Sequence, residues 1–301
     1  MAIDYDKIMS MKTNDVEYSY TDNDTMLYAL GIGFGRDPLN RKELDFVYEK
    51  NLKTIPSMAT VIAWGAGHMR DSGINYLMVV HGEQRLKIHQ PLPVSANILV
   101  DSRVTDVIDK GEEKGALLIT EVNIKDKETG SLLCTLGGTT FARGDGGFGG
   151  PKEGGPKPHA IPDRDPDIIS DLNTSPDQAL LYRLSGDRNP LHSDPDVAEA
   201  AGFPKPILHG LCSYGTACKS IIQDVCDYDS SMIEQLDVRF SSPVFPGEKI
   251  STEIWVDDKE ISFRSWVKER NVMVINNGCL LYTSDAADEG LGVDLGGRRI
   301  I

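Results

Sequence analysis

The chain repeats itself. "DTMLYALGIG" (24–33) and "DQALLYRLSGD" (177–187) share a spine: Leu27-Tyr28-x-Leu30-Gly31 falls on Leu181-Tyr182-x-Leu184-Ser185, a shift of 154 residues. Further along, "QPLPVSANILVDSRV" parallels "SSPVFPGEKISTEIWV", with Leu92-Pro93 on Phe245-Pro246, a shift of 153. Two matches at nearly one offset predict an internal duplication. The 301 residues are then two like units rather than one large fold. Seven of the 29 glycines crowd into 144–155, "GDGGFGGPKEGG". Such a stretch buries too little side chain to offset its ordering entropy and reads as a linker. The expected boundaries are a first domain over 1–143, a Gly/Pro-rich linker over 144–160, a second domain over 161–281 and an atypical tail over 282–301.

The second unit shows its plan more clearly. A short helix is expected over 176–184, a small one over 197–201 and a longer one over 210–226. In the longest, Leu211, Tyr214, Cys218, Ile221, Ile222 and Val225 recur at helical spacing. Strands follow near 234–240, 249–256, 261–268 and 272–281. Ile250, Ile254 and Val256, then Ile261, Phe263 and Val267, alternate as half-buried strands do. The first unit repeats the order: a helix near Tyr28, then strands near 76–80, 85–88, 97–109, 115–125 and 132–143. One long helix followed by antiparallel strands is an α+β layout in which the sheet wraps the helix. Two such sheets can join edge to edge, which covers exposed edges.

Composition narrows the class. The chain is 40% hydrophobic and 26% charged, an ordinary globular balance. A formal net charge of −15 argues against sequence-independent binding to nucleic acid. The five cysteines are odd in number and form no Cys-x-x-Cys pair, which predicts buried thiols in a reducing, intracellular setting. "MAIDYDKIMS" lacks a basic region followed by an apolar run, so no signal peptide is expected, and no apolar stretch is long enough for a membrane span.

The densest chemistry lies in "GDRNPLHSDPDVAEAAGFPKPILHG" (186–210). Asp187, Asn189 and His192 sit close together with Pro190 and Pro195 stiffening the backbone. A turn explains the Asp, Asn and Pro content. It explains less well a histidine five residues after an aspartate, because a loop can curl the two toward one point. A carboxylate and an imidazole together can hold and deprotonate a water molecule. Gly210 opens the longest helix, where free N–H groups and the positive end of the dipole face outward. Such an amide can stabilise a developing oxyanion. Other readings have weaker support. "GIGFG" (31–35) lacks the third glycine of a dinucleotide loop and follows a helix rather than a strand. His192, Asp194, His209 and Cys212 match no zinc spacing, and "DRNPLHSDPD" lacks the central glycine and closing glutamate of a calcium loop. "CSYGTAC" is no nucleophile elbow, and Cys212 and Cys218 lie on an apolar helix face.

Taken together, "GDRNPLHSDPDVAEAAGFPKPILHGLCSYG", "YTDNDTMLYALGIG" and "DVRFSSPVFPGE" resemble the MaoC-like (R)-specific enoyl-CoA hydratases. The similarity is closer still to hydratase 2, the hydratase unit of peroxisomal multifunctional enzyme type 2, over roughly 18–281. The resemblance implies a double hot-dog fold: two hot-dog domains in one chain, each a long helix wrapped by an antiparallel sheet. It implies hydration of trans-2-enoyl-CoA to (3R)-3-hydroxyacyl-CoA. Asp187 and His192 match the catalytic pair, Asn189 a supporting residue, and the Gly210 N–H the oxyanion donor. No metal and no redox cofactor are implied, CoA being part of the substrate. The first half lacks the motif and is expected to be non-catalytic, making room for acyl chains. Lys205 and Lys219 are candidates to meet the CoA phosphates. An acyl-CoA partner, a possible homodimer, no nucleic acid and no membrane complete the expectation. The cytoplasm is the expected location in a bacterium and the peroxisome in a eukaryote. A hot-dog thioesterase and a non-catalytic acyl-binding module remain alternatives. The polar run after Leu281, "YTSDAADEGLGVDLGGRRII", does not resemble the family and reads as a foreign or disordered tail.

Overall fold

The computed structural model describes residues 3–66 and 70–283. In the first half, α1 (Tyr5–Met9) leads into β1 (Lys12–Tyr20), followed by α2 (Asp22–Gly31) and α3 (Arg41–Val47). Then come β2 (Val79–Ile88), β3 (Ala96–Asp109), β4 (Ala116–Asp126) and β5 (Leu132–Ala142). The second half runs β6 (Ile168–Asn173), α4 (Gln178–Tyr182), α5 (Pro195–Ala200) and α6 (Gly210–Asp224). It ends with β7 (Ile233–Phe240), β8 (Lys249–Asp257), β9 (Glu260–Val267) and β10 (Val272–Tyr282).

All ten strands form one antiparallel sheet in the order β1-β3-β4-β5-β2-β7-β10-β9-β8-β6. The second half is the first in mirror order about the β2–β7 seam, which bears out the duplication. The seam runs from Glu83 opposite Arg239 to Lys87 opposite Gln235 and seals two edges that would otherwise offer unpaired backbone groups.

The halves part company at the central helix. From Leu211 to Ile222 every residue of α6 is buried, between the sheet and the helices of the first half. Each fully buried side chain such as Ile221 or Tyr214 contributes about 1.5–3 kcal/mol. Its hydroxyls are satisfied within the helix: Thr216 Oγ1 donates to Cys212 O and Ser220 Oγ to Thr216 O. The matching stretch of the first half, "PSMATVIAWGA", is a short 3-10 helix (Pro56–Thr60) followed by turns. The expected long helix of the first half is absent there. Gly65 adopts φ +95°, which ends a helix there. α2 packs directly on α6. A Cβ at Gly215 would lie 2.5 Å from Ile32 Cγ2 and 2.9 Å from Tyr28 Oη, so only glycine lets the two helices approach this closely.

Other expectations need smaller corrections. The two strands expected near 76–80 and 85–88 are one, β2, preceded by a 3-10 turn (Tyr76–Met78). β1 and β6 were not expected; both are outermost strands, paired on one side only. The glycine-rich segment has no helix or strand of its own, yet it is anchored. Asp109 accepts the N–H groups of Gly147 and Gly149, and its own N–H donates to Pro151 O. All five cysteines are free thiols and buried. Among the described residues no helix is long and apolar enough to cross a membrane. Tyr282 still belongs to β10; the rest of the expected foreign tail, from residue 284, lies outside the described residues.

Candidate active site

The loop after α4 is shaped by backbone before side chains matter. A 3-10 turn (Arg183–Ser185) ends at Gly186, whose φ of +140° few side chains tolerate. A Cβ there would meet Trp64 Cβ at 2.8 Å, so a residue of the first half presses against the start of this loop. The Asp187 carboxylate then accepts the Asn189 N–H at 3.0 Å, and the Asn189 side chain accepts the Leu191 N–H at 3.0 Å. Asn189 thereby caps a 3-10 turn (Pro190–His192) that swings His192 back toward Asp187. Asp187 and His192 do converge; Asn189 reaches them through the turn, its own side chain remaining exposed.

His192 Nδ1 lies 2.9 Å from Ile207 O. A carbonyl only accepts, so Nδ1 carries the proton and Nε2 keeps its lone pair. Nε2 faces Asp187 Oδ2 across 4.0 Å. That gap is too long for a hydrogen bond but fits a water molecule touching both atoms at ordinary distance. Burial lowers the pKa of His192, opposed by the Ile207 carbonyl and by Asp187. The imidazole is therefore neutral and basic at neutral pH.

His209 ties this pair to α6. Its ring stacks on His192 with centroids 3.7 Å apart, and its Nε2–H donates to the Asp187 carbonyl at 3.0 Å. Burial first, then the neighbouring His192, pushes its pKa down to about 3. Its Nδ1 is buried without a protein partner. The next residue, Gly210, is the first of a 15-residue helix, and its N–H has no acceptor within that helix. The Phe240 ring walls the approach, 3.4 Å from where a Gly210 Cβ would stand. His209 thus links the Asp187–His192 pair to the N-terminus of α6. Sequence alone weighs His209 only as a metal ligand and misses Ile207 and Trp64. A carbonyl leaves no residue-type signal, and Trp64 comes from the other half.

The two lysines separate. Lys205 is exposed, its ammonium 5.3 Å from the Phe245 ring centroid. Lys219 is buried, 2.8 Å from Glu43 and bonded to the Gly33 carbonyl. Its charge is spent inside the protein, so the expectation that it meets CoA phosphates is corrected. Cys212 and Cys218 pack as expected: burial raises both thiols, Cys218 to about 11, which removes any nucleophilic thiolate. Asp187, His192 and His209 each offer one ligand atom within 4.8 Å of the others. Each ring commits its other nitrogen to a backbone carbonyl, which leaves His192 Nε2 and His209 Nδ1 as the nitrogens with lone pairs. A cavity of about 230 Å³ opens on the outer face of the sheet beside Arg85, His159 and Asp237, apart from this loop. Chemistry rather than size places the site.

Comparison with known proteins gives the family. Residues 158–278 match the model of the MaoC like domain, and residues 18–144 match that of the MFE-2 hydratase 2 N-terminal domain. The chain is 38% identical over 288 residues to the peroxisomal enoyl-CoA hydratase 2 of Arabidopsis thaliana, covering 90% of this chain and 93% of that protein. It is 41% identical over 261 residues to 3-hydroxyacyl-thioester dehydratase Y of Mycobacterium tuberculosis, covering 85% and 88%. The crystal structure of a MaoC-like dehydratase from Phytophthora capsici superposes with a TM-score of 0.83 at 32% identity, covering 95% of this chain and all of that one. The chain is a double hot-dog protein that belongs to the MaoC-like hydratase 2 family.

Proposed function

We propose that this protein hydrates trans-2-enoyl-CoA thioesters to (3R)-3-hydroxyacyl-CoA, and catalyses the reverse dehydration, in fatty-acid metabolism. The relatives named enoyl-CoA hydratase 2 and 3-hydroxyacyl-thioester dehydratase support the reaction class. One observation carries the site: a free His192 Nε2 lone pair facing Asp187 Oδ2 across a gap one water wide. Water held there attacks C3 and gives up a proton to the pair. Charge moves through the alkene to the thioester oxygen, which the Gly210 N–H receives. C2 then takes a proton and the enolate collapses to the hydroxyacyl thioester. Atoms and electrons balance with water alone, so neither a redox cofactor nor a metal is required.

Among its described residues the first half has no such pair. Its contribution in this reading is room. Where the long helix is missing, Leu27, Met58, Val61 and Ile62 line a cavity of about 120 Å³ together with Leu184 and Ser185, which precede the catalytic loop. An acyl chain leaving the thioester can enter there.

Incubation with crotonyl-CoA tests the reading. Loss of enoyl absorbance without release of free thiol, unchanged by EDTA, is expected, with (3R) product on chiral analysis. Release of CoA thiol would make the protein a thioesterase instead. A chain-length series reads the acyl cavity.

A further inference from the structure

The half without a catalytic pair places one imidazole beside the site. On β2, Glu83 stands opposite Thr139 and Arg85 opposite Gly137, while His81 stands opposite Thr140. Directly opposed residues share a face, and neighbours alternate. Thr139 and Thr140 therefore face opposite sides, and so do Glu83 and His81, although two residues separate by two positions would ordinarily share a side. The register shift between His81 and Glu83 is a β-bulge at Gly82, where a Cβ would stand 3.1 Å from Thr139 O. Bulges re-aim side chains and collect near active sites. This one turns His81 onto the inner face, the face of buried Gln84 and Leu86.

On that face His81 meets Phe240, ring centroids 4.9 Å apart. Phe240 is the same ring that walls Gly210. A single aromatic side chain thus separates His81 from the proposed oxyanion donor. His81 is exposed, so its ring borders solvent rather than core. The protein around the ring shifts its pKa downward, toward a neutral imidazole. A neutral imidazole keeps one ring nitrogen with a lone pair.

We propose that His81 is a substrate-holding residue supplied by the first half, its free ring nitrogen accepting the amide N–H nearest the thioester sulfur in the pantetheine arm. The inference rests on the acyl-CoA reading above. With the thioester oxygen on Gly210, that amide lies four bonds from the thioester carbon, about the span of the intervening ring. A neutral acceptor suits an amide donor, whereas the CoA phosphates, themselves acceptors, call for cations.

The test uses three crotonyl thioesters: crotonyl-CoA, S-crotonyl-N-acetylcysteamine, which keeps the amide, and S-ethyl thiocrotonate, which lacks it. His81→Phe keeps the stack on Phe240 and removes the acceptor. It should lower kcat/KM for the first two by roughly tenfold, the scale of one lost hydrogen bond, and leave the ethyl thioester unchanged. His81→Asn, which restores an acceptor, should recover part of the loss. Equal losses on all three, or no loss on any, would overturn the proposal. Binding of the unreactive S-butyryl-N-acetylcysteamine, followed by NMR titration, reads the same contact without turnover. Tight binding without hydration by the wild-type protein would defeat the hydratase reading alone. Hydration with His81→Phe indistinguishable from wild type would defeat the His81 assignment alone. Neither binding nor hydration would defeat both.

Discussion

The two halves share a strand order and differ in one helix. In the second half, 15 residues form α6, and its N-terminus lies beside Asp187 and His192. In the first half, the matching residues 56–66 form one 3-10 turn and a run of irregular turns, with Trp64 against Gly186. The proposed oxyanion donor is the helix end, and the first half has no matching helix among its described residues. Met58, Val61 and Ile62 of that stretch line a cavity instead. In the proposed reading one site has two contributors, chemistry from one half and walls from the other.

The strongest way to break this comparison is to disable the second half. Asp187→Asn and His192→Ala should each lower turnover on crotonyl-CoA by roughly two to four orders of magnitude, as lost acid–base catalysis does, with melting behaviour retained. Near-normal turnover in either variant would return the site to an ordinary turn.

Next in size are the contacts that bind α6 to the first half. Lys219→Met leaves Glu43 buried and unpaired and should cost about 3–5 kcal/mol in denaturant unfolding. Adding Glu43→Gln should recover much of it. The folded double variant should keep its KM for CoA substrates, because Lys219 does not reach them. Gly215→Ala forces a methyl against Ile32 and should cost about 1–3 kcal/mol, with part of the loss restored by Ile32→Val.

Proton linkage sharpens the same contrast. His209 has a folded pKa of about 3, below its ordinary 6.5. Between those values the unfolded chain binds the proton and the folded one does not, so stability falls as pH drops from about 6.5 toward 3. Urea melts across that window should show the loss, and His209→Phe should flatten it. Because the His192 pKa is lowered too, the acid limb of kcat/KM should begin below pH 6.5. The smallest effect belongs to the first half's own loop. Asp37→Asn, in "GRDPLNR", should change kcat by less than about twofold, since Asp37 only holds the Leu39 N–H of its own turn.

Much of this was legible beforehand, and the gaps have physical causes. The offset of 153 carries β8 (from Lys249) back onto β3 (from Ala96), so the repeat read from Leu92-Pro93 maps strand onto strand. Asp187 and His192 converge because proline and a capping asparagine act within one loop, where spacing is informative. Lys219 was misjudged because its partner Glu43 lies far upstream on α3. β1, "KTNDVEYSY", escaped notice because an edge strand exposed over most of its length needs no apolar alternation. The first half's missing helix was hidden by an apolar run that suits a helix or a packed coil equally well. The glycine inside "VVHGEQRL" did carry a signal: a lone glycine in a strand marks a bulge.

The most direct test of the whole account is a crystal structure with a (3R)-3-hydroxyacyl-CoA bound. The 3-hydroxyl oxygen should lie within hydrogen-bond distance of both Asp187 Oδ2 and His192 Nε2, with the thioester oxygen on the Gly210 N–H. A hydroxyl seated elsewhere, or a thioester carbonyl turned away from the start of α6, would contradict it.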